Sequence, residues 1–508
     1  MHPGLNSTIR VADPSENTSV RLGPRSHISN SRAKDPQVIV GAVRSLIFAT
    51  VVIGMASGCS SGTGAGGGTG GGGGGGTGVG GGTGVGGGAG AGGGGSGVGI
   101  VNFNTFAFFA PALASGPDGV LHLAYSLNTS PSSVRYSRCA ANCGVGSNWT
   151  TTIIGSSQYA GSIRLLVGAD NRVHMLFELS AMGSPDQLQY ATCATDCAQA
   201  ANWTKTNLAS LFGGNWNSPS RGSPMVIDAQ NRLTFTVDNS TFTNGGLTLA
   251  TCATGCTSLG NWTAGRIRSG GIRTALAARG TTLHQLVDNA SPGSVGNALS
   301  YRTCSSNCTL ESSWQELANV VAYDGNSPLA IAVTAQGGVR VVYNQGVTDS
   351  SQTPAVRAQD NLILFWSCDS NCLQASAWSG ITTGALNDGS EAIAMVEQAG
   401  GLVLSVTNSA KVFTRICSQN CLTGANWIVA DIDTAAAVTA AYDPVAFTAT
   451  ACNGSPPANA TWHMSQGVVA VRPDGSAAFA HSTSILRTCS GSSTVVYSPG
   501  YGRLVYVP

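Results

Sequence analysis

Cys139-Ala140-Ala141-Asn142-Cys143, followed by Trp149, is the first of six copies of the spacing Cys-x3-Cys-x5-Trp. The others are Cys193/Cys197/Trp203, Cys252/Cys256/Trp262, Cys304/Cys308/Trp314, Cys368/Cys372/Trp378 and Cys417/Cys421/Trp427. Their first cysteines stand 54, 59, 52, 64 and 49 residues apart. That is the period of an array in which each unit is one supersecondary module resting on its neighbours.

Upstream of each first cysteine the chain alternates. Val134 and Tyr136, Leu188 and Tyr190, Leu247 and Leu249, Leu299 and Tyr301, and Ile363 and Phe365 sit five and three residues before it, and a period of two is that of a half-buried strand. A second alternating run lies earlier: Leu121–Tyr125, Val173–Phe177, Leu233–Val237, Leu283–Val287, Val339–Tyr343 and Leu402–Val406. Turn pairs such as Asp118-Gly119, Asp170-Asn171 and Gly337-Gly338 precede it, as in a hairpin. Before each turn comes another apolar run, among them Ala112–Ala114, Ile163–Val167 and Leu329–Ala332. A Thr/Val/Ile-rich run after the Trp, such as Thr150–Ile154, completes four antiparallel strands.

Four-stranded units repeated in this way stack face to face around an axis as propeller blades. A seventh, divergent unit is read in Val468–Val471, Ala477–Ala480 and Ile485–Cys489. The predicted fold is all-β: a β-propeller of four-stranded antiparallel blades over residues 101–508, seven in number, with six as the alternative. The ring is expected to close by pairing Val101–Phe106 with Val495–Tyr497 or Leu504–Tyr506, since an open edge invites association.

Composition narrows the function. Charged residues make up 10% of the chain and the net charge is +1, which lacks the basic footprint of a nucleic-acid partner. Fifteen cysteines suit an oxidising compartment. Each Cys-x3-Cys is expected to be a disulfide, because a structural zinc needs four ligands in one place and the pairs lie a blade apart. Cys452 and Cys489, the two left over in the repeat region, are expected to bridge each other. No cofactor and no metal are expected. The six Trp are expected to pack between blades, and His122, His174 and His284, at one repeat position, to have a structural role.

The first hundred residues read as four changes of composition. Residues 1–45 are polar and rich in Pro and Ser, a leader expected to be disordered. Residues 46–58 open with the apolar run Leu46–Ala56, too short to span a bilayer and suited to a signal peptide. The run ends in Ala56-Ser57-Gly58-Cys59, which resembles the lipobox of bacterial lipoproteins. That resemblance implies export, lipidation of Cys59, and contact with the membrane through the anchor alone, at the outer membrane or cell surface. Removing Cys59 leaves an even number of cysteines. Residues 59–100, almost wholly Gly with small partners, form a flexible tether with a reach of roughly 35 Å.

The order of turn, Leu/Val-His-Leu-x-Tyr strand, Leu-x-Tyr strand and Trp resembles the repeats of sialidase-like propellers of the Asp-box/BNR-like superfamily over about residues 105–508. Asp118-Gly119 and Asp474-Gly475 keep only fragments of an Asp-box. The starts of the first strands are expected to face the central channel. Arg164 and Arg273 stand there at like positions, with Glu391 at the entry to the sixth unit and Asp388 and Asp324 on entry loops. Two Arg forks can grip a carboxylate, and an acid opposite can move a proton. The expected function is therefore a cell-surface module, monomeric, binding an extracellular glycan or protein ligand. The alternative is a sialidase-like glycoside hydrolase or a polysaccharide lyase with its site at the channel. The Arg-Ile-Pro motif that opens the catalytic domain of sialidases is absent.

Overall fold

In blade 1 the strands Phe108–Ser115, Leu121–Leu127, Ser132–Cys139 and Thr150–Ser157 pair in that order, all antiparallel. The computed structural model describes residues 98–103, 108–127, 131–182, 185–212, 225–238, 246–269, 274–288, 297–323, 328–345, 348–349, 356–357, 361–386, 390–398, 401–441, 459–489 and 495–508. The predicted leader, signal segment and Cys59 lie outside these residues, as does the tether up to residue 97.

Blade 2 repeats the order with Tyr159–Val167, Val173–Ser180, Gln187–Cys193 and Thr204–Asn207. Blade 3 uses Val226–Ile227, Leu233–Asp238, Gly246–Cys252 and Trp262–Ser269. Blade 4 uses Thr274–Arg279, Thr282–Asp288, Asn297–Cys304 and Gln315–Tyr323. Blade 5 comprises Leu329–Val333, Val339–Gln345, Asn361–Cys368 and Ser379–Leu386. Blade 6 comprises Ser390–Gln398, Gly401–Asn408, Lys411–Cys417 and Ile428–Thr434. Among the described residues there are seven such sheets, the number expected.

The register is the same wherever the cysteine repeat occurs. The start of the second strand lies opposite the first cysteine: Leu121 with Cys139, Val173 with Cys193, Leu233 with Cys252, Leu283 with Cys304, Val339 with Cys368, and Leu402 with Cys417. Alternation then sends one set of side chains to each neighbour. Leu121, Leu123 and Tyr125 of blade 1 pack on Ala478, Ala480 and Leu504 of blade 7. Ala124, Val134 and Tyr136 on the other face pack on Met175 and Phe177 of blade 2. Full burial contributes roughly 1.5–3 kcal/mol for each large apolar side chain, so the stability of each blade depends on both neighbours.

Blade 7 corrects one expectation. Ile485–Cys489 is not its third strand; it continues the second, Ala477–Thr488, and the third is Val495–Val507. The polar residues His481, Ser482 and Thr483 are buried there with partners of their own, so no turn interrupts the strand. Asn459–Val471 is the first strand, and Gly99–Phe103 supplies the fourth, with Val101 opposite Leu504 and Ile100 opposite Val505. The ring thus closes between the two ends of the repeat region, by the second of the two expected pairings. A short helix at Ala435–Ala441 was not foreseen; its run of Ala favours helix, and Val438 buries it against Trp462 and Met464.

Candidate functional site

Six disulfides join the paired cysteines, Cys139–Cys143, Cys193–Cys197, Cys252–Cys256, Cys304–Cys308, Cys368–Cys372 and Cys417–Cys421. Each staples the loop between the third strand and the Trp. Within the loop, the residue before the second cysteine has positive φ: Asn142, Asp196, Gly255, Asn307, Asn371 and Asn420, residue types that tolerate the left-handed region. Every Trp then donates its indole N–H to the carbonyl of the second cysteine, as Trp149 does to Cys143 at 2.9 Å and Trp427 to Cys421 at 2.8 Å. The Asn before the Trp also serves the loop, Asn148 donating to the Asn142 carbonyl at 3.1 Å. Cys489 is disulfide-bonded too; its expected partner, Cys452, lies outside the described residues.

The Trp side chains do pack between blades. Trp203 meets Tyr136 of blade 1 edge-on at 4.9 Å, Trp262 meets Tyr190 of blade 2 at 5.3 Å, and Trp427 meets Phe365 of blade 5 at 5.3 Å. The three repeated histidines stand behind the same tyrosines. His122 shares a hydrogen bond with Tyr136 at 2.6 Å, His174 with Tyr190 at 2.7 Å and His284 with Tyr301 at 2.7 Å. Burial lowers the pKa of each imidazole to about 4, so these are neutral structural pairs.

Of the predicted ligand residues, Arg164 lies in the first strand of blade 2, half-buried, opposite Leu176. Desolvation lowers its pKa while Glu178, on the adjacent strand, acts the other way; Glu178 was not singled out in the sequence. The backbone of Glu391 lies at the start of the first strand of blade 6, and its side chain is outside the described structure. Arg273, Asp324 and Asp388 lie outside the described residues. Among the described side chains, Glu178 is thus the charged neighbour of Arg164.

From blade 3 through blades 4, 5, 6, 7 and 1 to blade 2, the first strands of neighbouring blades contact one another around the axis. At the end of these strands that carries the first-to-second turns, four blades border an open concavity of about 590 Å³. Blade 1 contributes Ser115, Gly116 and Pro117, blade 2 Val167, blade 6 Glu397, and blade 7 Val471, Arg472, Pro473, Asp474 and Gly475. Arg472 anchors the wall: it donates to the carbonyls of Gly119 at 2.5 Å and Ala140 at 3.3 Å and to the Tyr506 hydroxyl at 2.9 Å. Asp474 accepts from the Ser476 hydroxyl at 2.6 Å, and mainly through that bond its carboxyl is held below the usual range. Glu397 accepts from the backbone N–H of Ala335 at 3.2 Å. Glu397 is six residues along the strand from Glu391, or about 20 Å, so this concavity is at the opposite end from the predicted site. The Pro-Asp-Gly shared by the turns Gly116–Gly119 and Arg472–Gly475 was the available signal.

A buried polar cluster elsewhere has no access to solvent. Asp433 of blade 6 accepts from Arg503 at 2.7 Å and faces His481 Nε2 at 2.9 Å, and Arg503 also donates to Asn102 at 3.0 Å. Burial works to raise the Asp433 pKa, but His481 and Arg503 outweigh it and hold the carboxyl below its usual range. His481 is 0% exposed and Arg503 2%, so the cluster ties blade 6 to the closing strand. Among the described residues no group of three His, Cys, Asp or Glu could hold a metal ion.

These features define a seven-bladed β-propeller with disulfide-stapled blades. No family model and no curated protein matches the chain. Solved structures of similar fold include polysaccharide lyase Uly1, with 8% identity and a TM-score of 0.44 over 80% of this chain and 98% of that one. Trypanosoma rangeli sialidase aligns with 10% identity and a TM-score of 0.40 over 79% and 92%. Aleuria aurantia lectin aligns with 10% identity and a TM-score of 0.36 over 78% and 97%. At these levels the likeness concerns the fold.

Proposed function

We propose that this protein is an exported binding module that takes a hydroxyl-rich ligand, an extracellular glycan, in the axial concavity. The observation that carries the reading is the make-up of that hollow. Two carboxylates, Glu397 and Asp474, stand among the small turn residues Ser115, Gly116 and Gly475. The nearby cation, Arg472, is held by three hydrogen bonds within the protein and by an ion pair with Asp474 at 3.3 Å, which leaves the Asp474 carboxylate largely exposed. Carboxylates accept from sugar hydroxyls with charge-assisted hydrogen bonds, and a hollow of about 590 Å³ is of the size ligand sites have.

Export is supported by the six disulfides, which persist in oxidising compartments. Anchoring through Cys59 with residues 59–100 as the tether belongs to the same proposal, and Cys59→Ala should release the protein from membranes. The binding test is a glycan array probed with residues 98–508 made in an oxidising host. The expected result is a set of bound glycans lost in Glu397→Ala/Asp474→Ala. No bound glycan, or binding untouched by that variant, would overturn the assignment of the site. Arg164→Ala, Arg273→Ala and Glu391→Ala ask in the same assay whether the far end of the channel contributes. Cleavage products from the bound glycans would instead make the protein a hydrolase or lyase.

A further inference from the structure

One repeat position is filled by the same pair of side chains in three blades, and in blade 3 it is left open. In blades 1, 2 and 4 a His on the second strand and a Tyr on the third occupy the space beneath the disulfide loop of the next blade. Blade 5 places Arg340 and Phe365 there, with Phe365 against Trp427. Blade 3 carries Thr234 and Leu249 at these positions. What remains is a cleft of about 170 Å³ between blades 3 and 4.

Its floor is buried: Thr234 is 3% exposed, Leu249 0%, Leu283 3% and Cys308 9%. Its rim is exposed at Thr263 and Asn307. The wall is built closely, since a Cβ on Gly265 of blade 3 would run into the Thr309 carbonyl of the blade 4 disulfide loop. Hydroxyls line the hollow, with Thr234 and Thr251 Oγ1 3.2 Å apart and Thr251 donating to the Leu233 carbonyl at 3.1 Å. The charge at its edge is balanced, because Arg232 is paired with Asp228 at 2.6 Å and donates to the Thr281 carbonyl at 3.2 Å.

Size and lining together select a ligand. A cavity of about 150 Å³ takes a benzene ring when its walls are apolar, so this one has room for a single six-membered ring. Its threonine hydroxyls and the Asn307 amide at the rim can exchange hydrogen bonds that a bare hydrocarbon ring cannot offer. Leu249 and Leu283 offer an apolar floor to one face of a ring whose edge carries hydroxyls. We propose that the cleft between blades 3 and 4 binds one neutral monosaccharide unit, free or at the end of a longer glycan. The site is separate from the axial concavity and does not depend on it.

The test is saturation-transfer NMR with neutral monosaccharides (glucose, galactose, mannose, fucose and N-acetylglucosamine), short glycans ending in them, and glucuronate as an anionic control. At least one neutral sugar should bind the unaltered protein, and glucuronate should not bind more tightly. Thr234→His/Leu249→Tyr, which installs the pair used by blades 1, 2 and 4, should abolish that signal without lowering the melting temperature. Thr234→Val keeps the volume, removes one hydroxyl, and should weaken binding up to about tenfold. The axial concavity is silenced by Glu397→Ala/Asp474→Ala, and in that background the signal should persist and the cleft variant should still abolish it. The proposal fails if no neutral sugar binds in that background, or if the signal survives there in Thr234→His/Leu249→Tyr. Binding only to the longer glycans, still lost in the cleft variant, would assign the site to chain ends.

Discussion

His122, His174 and His284 show what a single side chain contributes in this fold. Each is held neutral by burial, with a pKa near 4, whereas in an unfolded chain it titrates near 6.5. Between those values the unfolded state binds more protons, so stability is full above about pH 6.5 and falls as the pH drops through about 4. Urea unfolding of the unaltered protein should therefore weaken by a few kcal/mol between about pH 7 and 4.5, and H122Q/H174Q/H284Q should flatten that slope. A slope unchanged in the triple variant would remove the assigned role. The histidines were legible as structural because three blades repeat them. Their tyrosine partners were legible only as strand residues, since the His–Tyr contact needs the register of two strands.

At the scale of the element, the disulfide loop is an autonomous device. Four consecutive features, the cysteine pair, the left-handed Asn, Asp or Gly, the Asn or small residue before the Trp, and the indole bond, fold locally around one staple. Cys193→Ser/Cys197→Ser should cost about 2 kcal/mol on the loop-closure formula, read by chemical denaturation, while the blade keeps its register. Loss of the whole fold in that variant would mean that the loop nucleates the blade and does not merely pin it. This element could be read from sequence because every partner lies within eleven residues. The second strand of blade 7 could not, because His481, Ser482 and Thr483 look like a polar turn until Asp433 and Tyr501 are placed beside them.

At the scale of the whole molecule, closure of the ring rests on contacts between distant parts of the chain. Gly99–Phe103 completes blade 7, and Asn102, Asp433, His481 and Arg503 form one buried network across its junction with blade 6. Asp433→Asn strands Arg503 without its anion, and breaking such a buried pair costs about 3–5 kcal/mol. Differential scanning calorimetry should show a lowered transition for this variant, and an unchanged one would deny the network its part in closure. The amino-acid sequence by itself determined the repeat, the strand order within a blade, the sulfur pairing and the packing role of the Trp, because each depends on neighbours within one unit of about fifty residues. Tertiary structure alone decided where blade 7 takes its third strand, which charges meet at its seam, that turns and strand ends of four blades form the axial hollow, and that blade 3 leaves a cleft. Those features arise between units, where residues hundreds of positions apart come into contact only after the ring has closed.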